Sequence, residues 1–189
     1  RMPITLILNI VSMVLIFIIS LYFGIKSALN KNSFFDKFTG QLSLLSFAMP
    51  SFYLALLLVL IFAINFEILP IAGLHGVANN GSFNYYLDYA WHLVLPIFII
   101  VFGGIGSLIL YIRSLTIEIL KSDYIFFAKA RGLTSKQILR YYILPNLYPP
   151  VITLLGLSLP GIIGGSVILE TIFSIDGMGL LFYQSALSH

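Results

Sequence analysis

The feature that most narrows what this chain can become is a series of apolar runs, each about 20 residues long. A helix rises about 1.5 Å per residue, so each run matches the ~30 Å hydrocarbon core of a bilayer. Composition agrees: 59% of the 189 residues are hydrophobic and 9% charged, against roughly 25% charged in a soluble domain. Mean hydropathy is +1.02. A globule of this size could not cover itself with so few polar side chains, and lipid is the expected solvent. Four spans are read, over residues 4–24, 42–65, 93–112 and 150–169. The expected fold is an all-α, polytopic transmembrane bundle forming a single domain, 1–189. Pro50 falls in the first half of the second span and Pro96 near the start of the third.

The placement of charge sets the orientation. Lys26, Lys31 and Lys37 follow the first span; Arg113, Lys121, Lys129, Arg131, Lys136 and Arg140 follow the third. These are nine of the ten basic residues, and only Arg1 remains. The stretches 67–92 and 170–189 hold no lysine or arginine, but carry Glu67, Asp88, Glu170 and Asp176. Basic connections stay on the cytoplasmic side, so the acidic ones are expected outside. Tyr85, Tyr86, Tyr89 and Trp91 fit a segment at headgroup depth, with a turn at Asn79, Asn80, Gly81 and Ser82. Arg1 stands where an initiator methionine is expected and His189 falls within a loop, so the chain reads as a fragment of a longer one. No signal peptide is recognised at its start.

Several chemistries are excluded or disfavoured. There is no cysteine, which removes disulfides and thiolate metal sites. Nucleic-acid binding needs a basic face that most of this chain lacks. No phosphate-cradling Gly-x-x-x-x-Gly-Lys-Ser/Thr is present; the Gly161 to Ser166 stretch lacks the lysine. No predicted span contains Asp, Glu, Lys or Arg, which counts against a proton-coupled pump. His75, His92, Asp88 and Glu67 share the outer side without tight ligand spacing, and ordinary loop polarity is the preferred reading over a metal site. Gly103, Gly104 and Gly106, and Gly161 with Gly165, are read as helix-packing positions. Ser46, Met49, Pro50, Ser51, Ser107 and Ser158 are the candidates for lining a polar pathway. Serines bonded back to their own helix carbonyls are the competing reading. Glu170 could cap the following segment or meet a docked protein.

The basic stretch 122–145 is the informative one. Ser122 can cap a short helix, 123–131, which Gly132 ends by allowing positive φ. Thr134 opens a second helix, and Gln137 three residues later completes a capping box. Pro145 is expected to close or kink it. The result is a helix–glycine–helix elbow outside the membrane. Tyr124, Phe127, Ala128 and Arg131 recur at helical spacing, giving a partly apolar face. That face either lies on the membrane or its own spans, or docks into a groove on a soluble partner.

Ala128, Ala130 and Gly132, then nine residues, then Tyr142, Ile143, Leu144 and Pro145 resemble the EAA loop of ABC importer permeases. Phe126 and Phe127 replace the glutamate and first alanine of that pattern, and Tyr142 its isoleucine. The run from Asp123 to Leu133 is similar to the form found in the oligopeptide, dipeptide and nickel branch. So are Pro50-Ser51-Phe52, Leu69-Pro70-Ile71-Ala72-Gly73, and Glu170-Thr171-Ile172-Phe173 followed by Gly177 and Gly179. The resemblance implies a six-span permease of the type I importer kind in a bacterial or archaeal cytoplasmic membrane. It implies a second homologous permease subunit, two cytoplasmic ATPases that carry ATP and Mg²⁺, and an extracytoplasmic solute-binding protein. This chain would then hold no cofactor and no catalytic residue. Tyr124, Phe127, Ala128, Lys129, Ala130, Arg131, Gly132, Leu133, Leu144 and Pro145 would form the ATPase-coupling loop. Peptides are the expected cargo, with nickel or metal chelates as the alternative. A stand-alone secondary transporter or channel, and a scaffold that recruits a soluble protein, are the readings of other classes.

Overall fold

The computed structural model describes residues 1–75 and 83–188. The turn expected at residues 79–82 and the terminal His189 therefore lie outside the described residues. Among those described there is no strand. The helices are α1 (Met2–Leu29), α2 (Phe34–Ala48), α3 (Ser51–Leu58), α4 (Phe83–Leu120), α5 (Asp123–Ala130), α6 (Ser135–Ile138), α7 (Leu144–Gly164), α8 (Val167–Ile172) and α9 (Met178–Leu187). Wider π-helical turns cover Val59–Asn65 and Leu139–Ile143. Three helical stretches are long and apolar enough to cross a membrane, and a fourth span is possible if α2 and the stretch Ser51–Asn65 count as one broken span.

Helix α1 shows why hydropathy succeeded here. Its buried positions include Thr5, Ser12, Ser20 and Ser27, while Ile7, Val14, Ile18 and Tyr22 are exposed. Small polar residues face protein and large apolar ones face outward, the arrangement expected where lipid replaces water. Helix α2 repeats the pattern with Asp36, Thr39, Ser43 and Ser46 buried and Phe34, Leu44 and Phe47 exposed. Because its buried stripe is polar, a hydropathy reading discounts its first two turns. The span expected from residue 42 in fact begins as a helix at Phe34.

Three further boundaries differ from expectation. The second span is not continuous: Pro50 takes an extended conformation, φ −60° and ψ 133°, between α2 and α3. Helix α4 runs 38 residues through the buried Pro96, about 57 Å at 1.5 Å per residue, so the aromatic segment 85–91 is helix rather than loop. The fourth span ends early, because Gly165 adopts φ +64° and Ser166 starts α8 instead.

The chain divides into two compact units. The first comprises Arg1–Leu15, Ala48–Gly103 and Pro160–His189, with a core that includes Ile4, Leu8, Ala55, Ile99, Phe173 and Ile175. Its polar centre is Glu170, 3% exposed. The Glu170 carboxylate accepts a bond from the Thr5 hydroxyl at 3.2 Å and from the Leu180 N–H at 2.8 Å. Thr5 Oγ1 in turn accepts the Met178 N–H at 2.9 Å. Met178 and Leu180 lie in the first turn of α9, so Glu170 and Thr5 together satisfy donors that a helix start leaves unpaired. Of the two roles considered for Glu170, capping the next segment is the one its geometry performs. Also in this unit, His92 Nδ1 lies 2.8 Å from the Asp88 carbonyl and His75 Nδ1 3.8 Å from the Asp88 carboxylate. No group of three such side chains able to hold a metal ion occurs among the described residues.

The second unit comprises Ile16–Phe47 and Gly104–Leu159. Here α4 packs closely on its neighbours. A side chain at Gly104 would strike Ile16, and one at Gly106 would strike the Ser43 carbonyl of α2. These two glycines allow close packing, as expected, whereas a side chain at Gly103 would meet nothing within 4 Å. Gly161 meets nothing within 4 Å, and Gly165 lies beyond the end of α7, so this pair forms no packing stripe within the chain. The unit also contains an ion pair absent from the sequence reading: the Arg113 guanidinium on α4 grips the Asp36 carboxylate on α2 at 2.6 and 2.8 Å.

Candidate functional site: the basic elbow

Between α4 and α7 the chain makes two short helices: α5 belongs to neither span, whereas α6 runs without a break into the helical stretch that continues as α7. Helix α5 ends in a Schellman motif: the Gly132 N–H bonds the Lys129 carbonyl at 2.9 Å, and the Leu133 N–H bonds the Ala128 carbonyl at 3.2 Å. This geometry needs a left-handed residue, and Gly132 supplies it at φ +80°. Thr134 then starts α6 with the expected capping box. Its backbone N–H donates to Gln137 Oε1 at 2.8 Å, and its hydroxyl accepts the Gln137 N–H at 3.4 Å. Two termini are thus closed by local hydrogen bonds alone, which fixes the bend without help from a partner.

Two local expectations are corrected. Ser122 stands at the N-cap position of α5 in an extended conformation, but makes no capping bond; its hydroxyl donates to the Ile119 carbonyl instead. Of the two roles expected for Pro145, closing the helix is not the one it plays. It is the second residue of α7, directly after the π-helical stretch Leu139–Ile143. Proline removes the N–H that would meet the carbonyl four residues back and its ring crowds that carbonyl. The wider π turn just before it accommodates both.

Packing divides the elbow into an inner and an outer side. Ile125, Ala128, Ile138, Ile143 and Leu147 form a buried cluster, with Leu133 and Leu139 against it. Ile25 of α1 and Leu115, Ile119 and Leu120 of α4 complete the packing. Ala128, 1% exposed, is therefore a seat for the elbow on its own spans. Leu133 is part-buried against the same cluster, and Leu144 is part-buried as well. The outer side carries Tyr124, Phe127, Lys129, Ala130, Arg131 and Gly132, all exposed, with Pro145 exposed as well. Tyr124 stacks on Tyr142 with ring centres 6.2 Å apart. The sequence reading placed Ala128 and Phe127 on one face; folding puts them on opposite sides.

Two outer residues escaped that reading. Phe126 is 69% exposed and stands edge-on to Phe127, itself 59% exposed. Tyr141 is exposed with the Arg140 guanidinium 5.8 Å from its ring. Adjacent helix positions are about 100° apart, so two consecutive phenylalanines in a short segment with Asp, Lys and Arg are hard to bury together, and that was the available signal. Large aromatics left in the open beside Lys129 and Arg131 form the kind of patch found at docking surfaces. What the arrangement can do is bind; no nucleophile–base pair stands on it.

The pathway candidates are scattered. Ser46 is buried, and its Oγ accepts the Gly106 N–H at 3.1 Å. Ser158 donates back to the Leu154 carbonyl at 2.8 Å. Met49 packs on the core of the first unit. Pro50, Ser51 and Ser107 are exposed.

Comparison with known proteins gives the family. The sequence model of the binding-protein-dependent transport system inner membrane component family matches residues 20–189. The oligopeptide transport system permease protein AppB of Bacillus subtilis is 37% identical over 186 residues, covering 98% of this chain and 58% of the relative. OppB of Haemophilus influenzae, also an oligopeptide transport system permease protein, is 36% identical with 98% and 57% covered. The dipeptide transport system permease protein DppB of Lactococcus lactis is 32% identical, again with 98% and 57% covered. The chain thus spans a little over half the length of these relatives. It is a multi-pass protein of the cytoplasmic membrane and belongs to the family of binding-protein-dependent transport system inner membrane components.

Proposed function

We propose that this chain forms the membrane-spanning part of an ATP-driven importer of di- and oligopeptides, and that its elbow is where a cytoplasmic ATPase takes hold. The observation that carries this reading is the two-sided elbow. Its backbone is fixed by its own caps, its inner side is seated on α1 and α4, and its outer side leaves Phe126, Phe127, Lys129 and Arg131 unshared with the spans. Rigid shape with an open aromatic and basic face suits a surface that a second protein grips and moves. ATP and Mg²⁺ would be bound by that ATPase, and this chain would contribute no catalytic group. A second permease subunit and an extracytoplasmic binding protein would complete the assembly. The relatives' names refer to oligopeptides and dipeptides, which supports peptides over nickel or metal chelates. Pro50, Ser51 and Ser107 are the pathway candidates with side chains free to meet a solute.

The test is co-purification of the full permease with its ATPase. Gly132→Pro is incompatible with φ +80°, and Arg131→Glu reverses a charge on the open face. Both variants are expected to lose ATPase binding and peptide uptake at least tenfold while still inserting in the membrane. Wild-type binding and uptake in both would remove the elbow from the mechanism. Solute movement by the chain alone in liposomes, without ATP or a partner, would assign it to the stand-alone transporters.

A further inference from the structure

The Asp36–Arg113 ion pair sits where three elements of the second unit meet. Asp36 is in the first turn of α2, where a helix start favours negative charge, and its side chain is 5% exposed. Its carboxylate accepts both Arg113 contacts, the Ser27 hydroxyl of α1, and the Asn32 N–H in the α1–α2 turn at 2.9 Å. Asn32 holds φ +66° to make that last contact. One carboxylate thus ties together α1, its turn, α2 and α4. Nearby, a side chain at Gly24 of α1 would strike Ile112 of α4, so the two helices are already in close contact one residue before the arginine.

A charged pair whose carboxylate is buried and whose guanidinium is a quarter exposed is a poor choice for stability alone, since buried pairs are often replaced by apolar residues of the same volume without loss. It is better suited to fixing one arrangement, because every alternative packing leaves a charge without a partner. Its position gives that fixed arrangement a use. Arg113 lies just before Leu115, Ile119 and Leu120 on α4, and Ser27 two residues after Ile25 on α1; these four apolar residues are the ones on which the elbow core rests. We infer that Asp36 and Arg113 are positioning residues that clamp α2 to the α1–α4 seat of the elbow, so that displacement of the elbow moves α2 with it. This rests on the importer reading above. Without the clamp, α4 and α1 can follow the elbow while α2 lags, and ATP is hydrolysed without transport.

The experiment uses the full permease assembled with its ATPases and binding protein in proteoliposomes, measuring peptide uptake and ATP hydrolysis together. The chain has no cysteine, so Lys136→Cys, exposed on α6 and outside the proposed gripping residues, can report ATPase docking by crosslinking. Failure of that crosslink in the otherwise unaltered permease would refute the importer reading itself. With docking intact, Asp36→Asn and Arg113→Gln are expected to lower uptake per ATP at least tenfold with hydrolysis within twofold of wild type. The double variant Asp36→Asn/Arg113→Gln restores neutrality and assembly but not the clamp. It is expected to be uncoupled to the same degree as either single variant, not the product of both. Normal uptake per ATP in an assembled double variant would overturn the proposal and leave the pair a folding element only. Should the double variant fail to assemble, Arg113→Lys decides, because it keeps the charge and loses the two-pronged grip. Reduced uptake per ATP supports the clamp, and wild-type coupling refutes it.

Discussion

At Gly132 and at Gly165 a helix stops on a glycine in the left-handed region, φ +80° and +64°, and a hydroxyl residue, Thr134 or Ser166, starts the next helix. The backbone device is the same and the surroundings are opposite. A side chain added at Gly132 would meet nothing within 4 Å, whereas one at Gly165 would strike the Glu170 carboxylate and press on Thr5 and Gly179. One break presents an open face; the other is knotted around a buried carboxylate. Two helix breaks that look alike in sequence can therefore serve unlike ends, and what separates them is which side chains fold back over the glycine.

The largest effect expected follows from repeating one substitution at both breaks. Gly165→Ala adds left-handed strain of about 1–2 kcal/mol to an overpacking cost of about 1–3 kcal/mol, and should destabilise by roughly 2–5 kcal/mol. Gly132→Ala adds only the strain. Thermal unfolding of the two variants in detergent reads the difference, and equal losses would mean that the knot around Gly165 is looser than its geometry suggests.

A smaller loss is expected from the carboxylate. Glu170→Ala strips the Leu180 N–H and the Thr5 hydroxyl of their acceptor and should cost about 2–3 kcal/mol. Hydrogen exchange should show α9 opening first, since its N-terminal turn depends on Glu170 and Thr5. Exchange that accelerates evenly along the chain would deny this dependence.

The smallest stability effect belongs to the open break. Phe126→Ala removes an exposed ring and should change stability by no more than about 0.5 kcal/mol, while binding of the ATPase falls severalfold. A substantial loss of stability with unchanged binding would invert the comparison between the two breaks.

The elbow was legible in sequence because its signals are local. Gly132, Thr134 and Gln137 lie within six residues, and the bonds they make join neighbours along the chain. The buried side of the elbow was less legible. Ala128 belongs with Phe127 by spacing, yet Ile25, Leu115 and Ile119 from two other helices claim it for the core. Phe126 was read only as a departure from a pattern, because nothing within one short helix says that both adjacent rings, Phe126 and Phe127, will be left outside.

The amino-acid order by itself determined that this protein spans a membrane, which ends carry positive charge, and where the bend between α5 and α6 falls. Each of these depends on residues close together in the chain or on summed transfer free energy. Only the tertiary structure decided that α2 begins at Phe34, that Asp36 pairs with Arg113 across 77 positions, and that Glu170 caps α9 with Thr5 from the opposite end of the chain. Hydropathy counts Asp36, Arg113 and Glu170 as marks of loops and water. Buried among helices, each finds its partners on segments far away in sequence, and no local pattern carries that information.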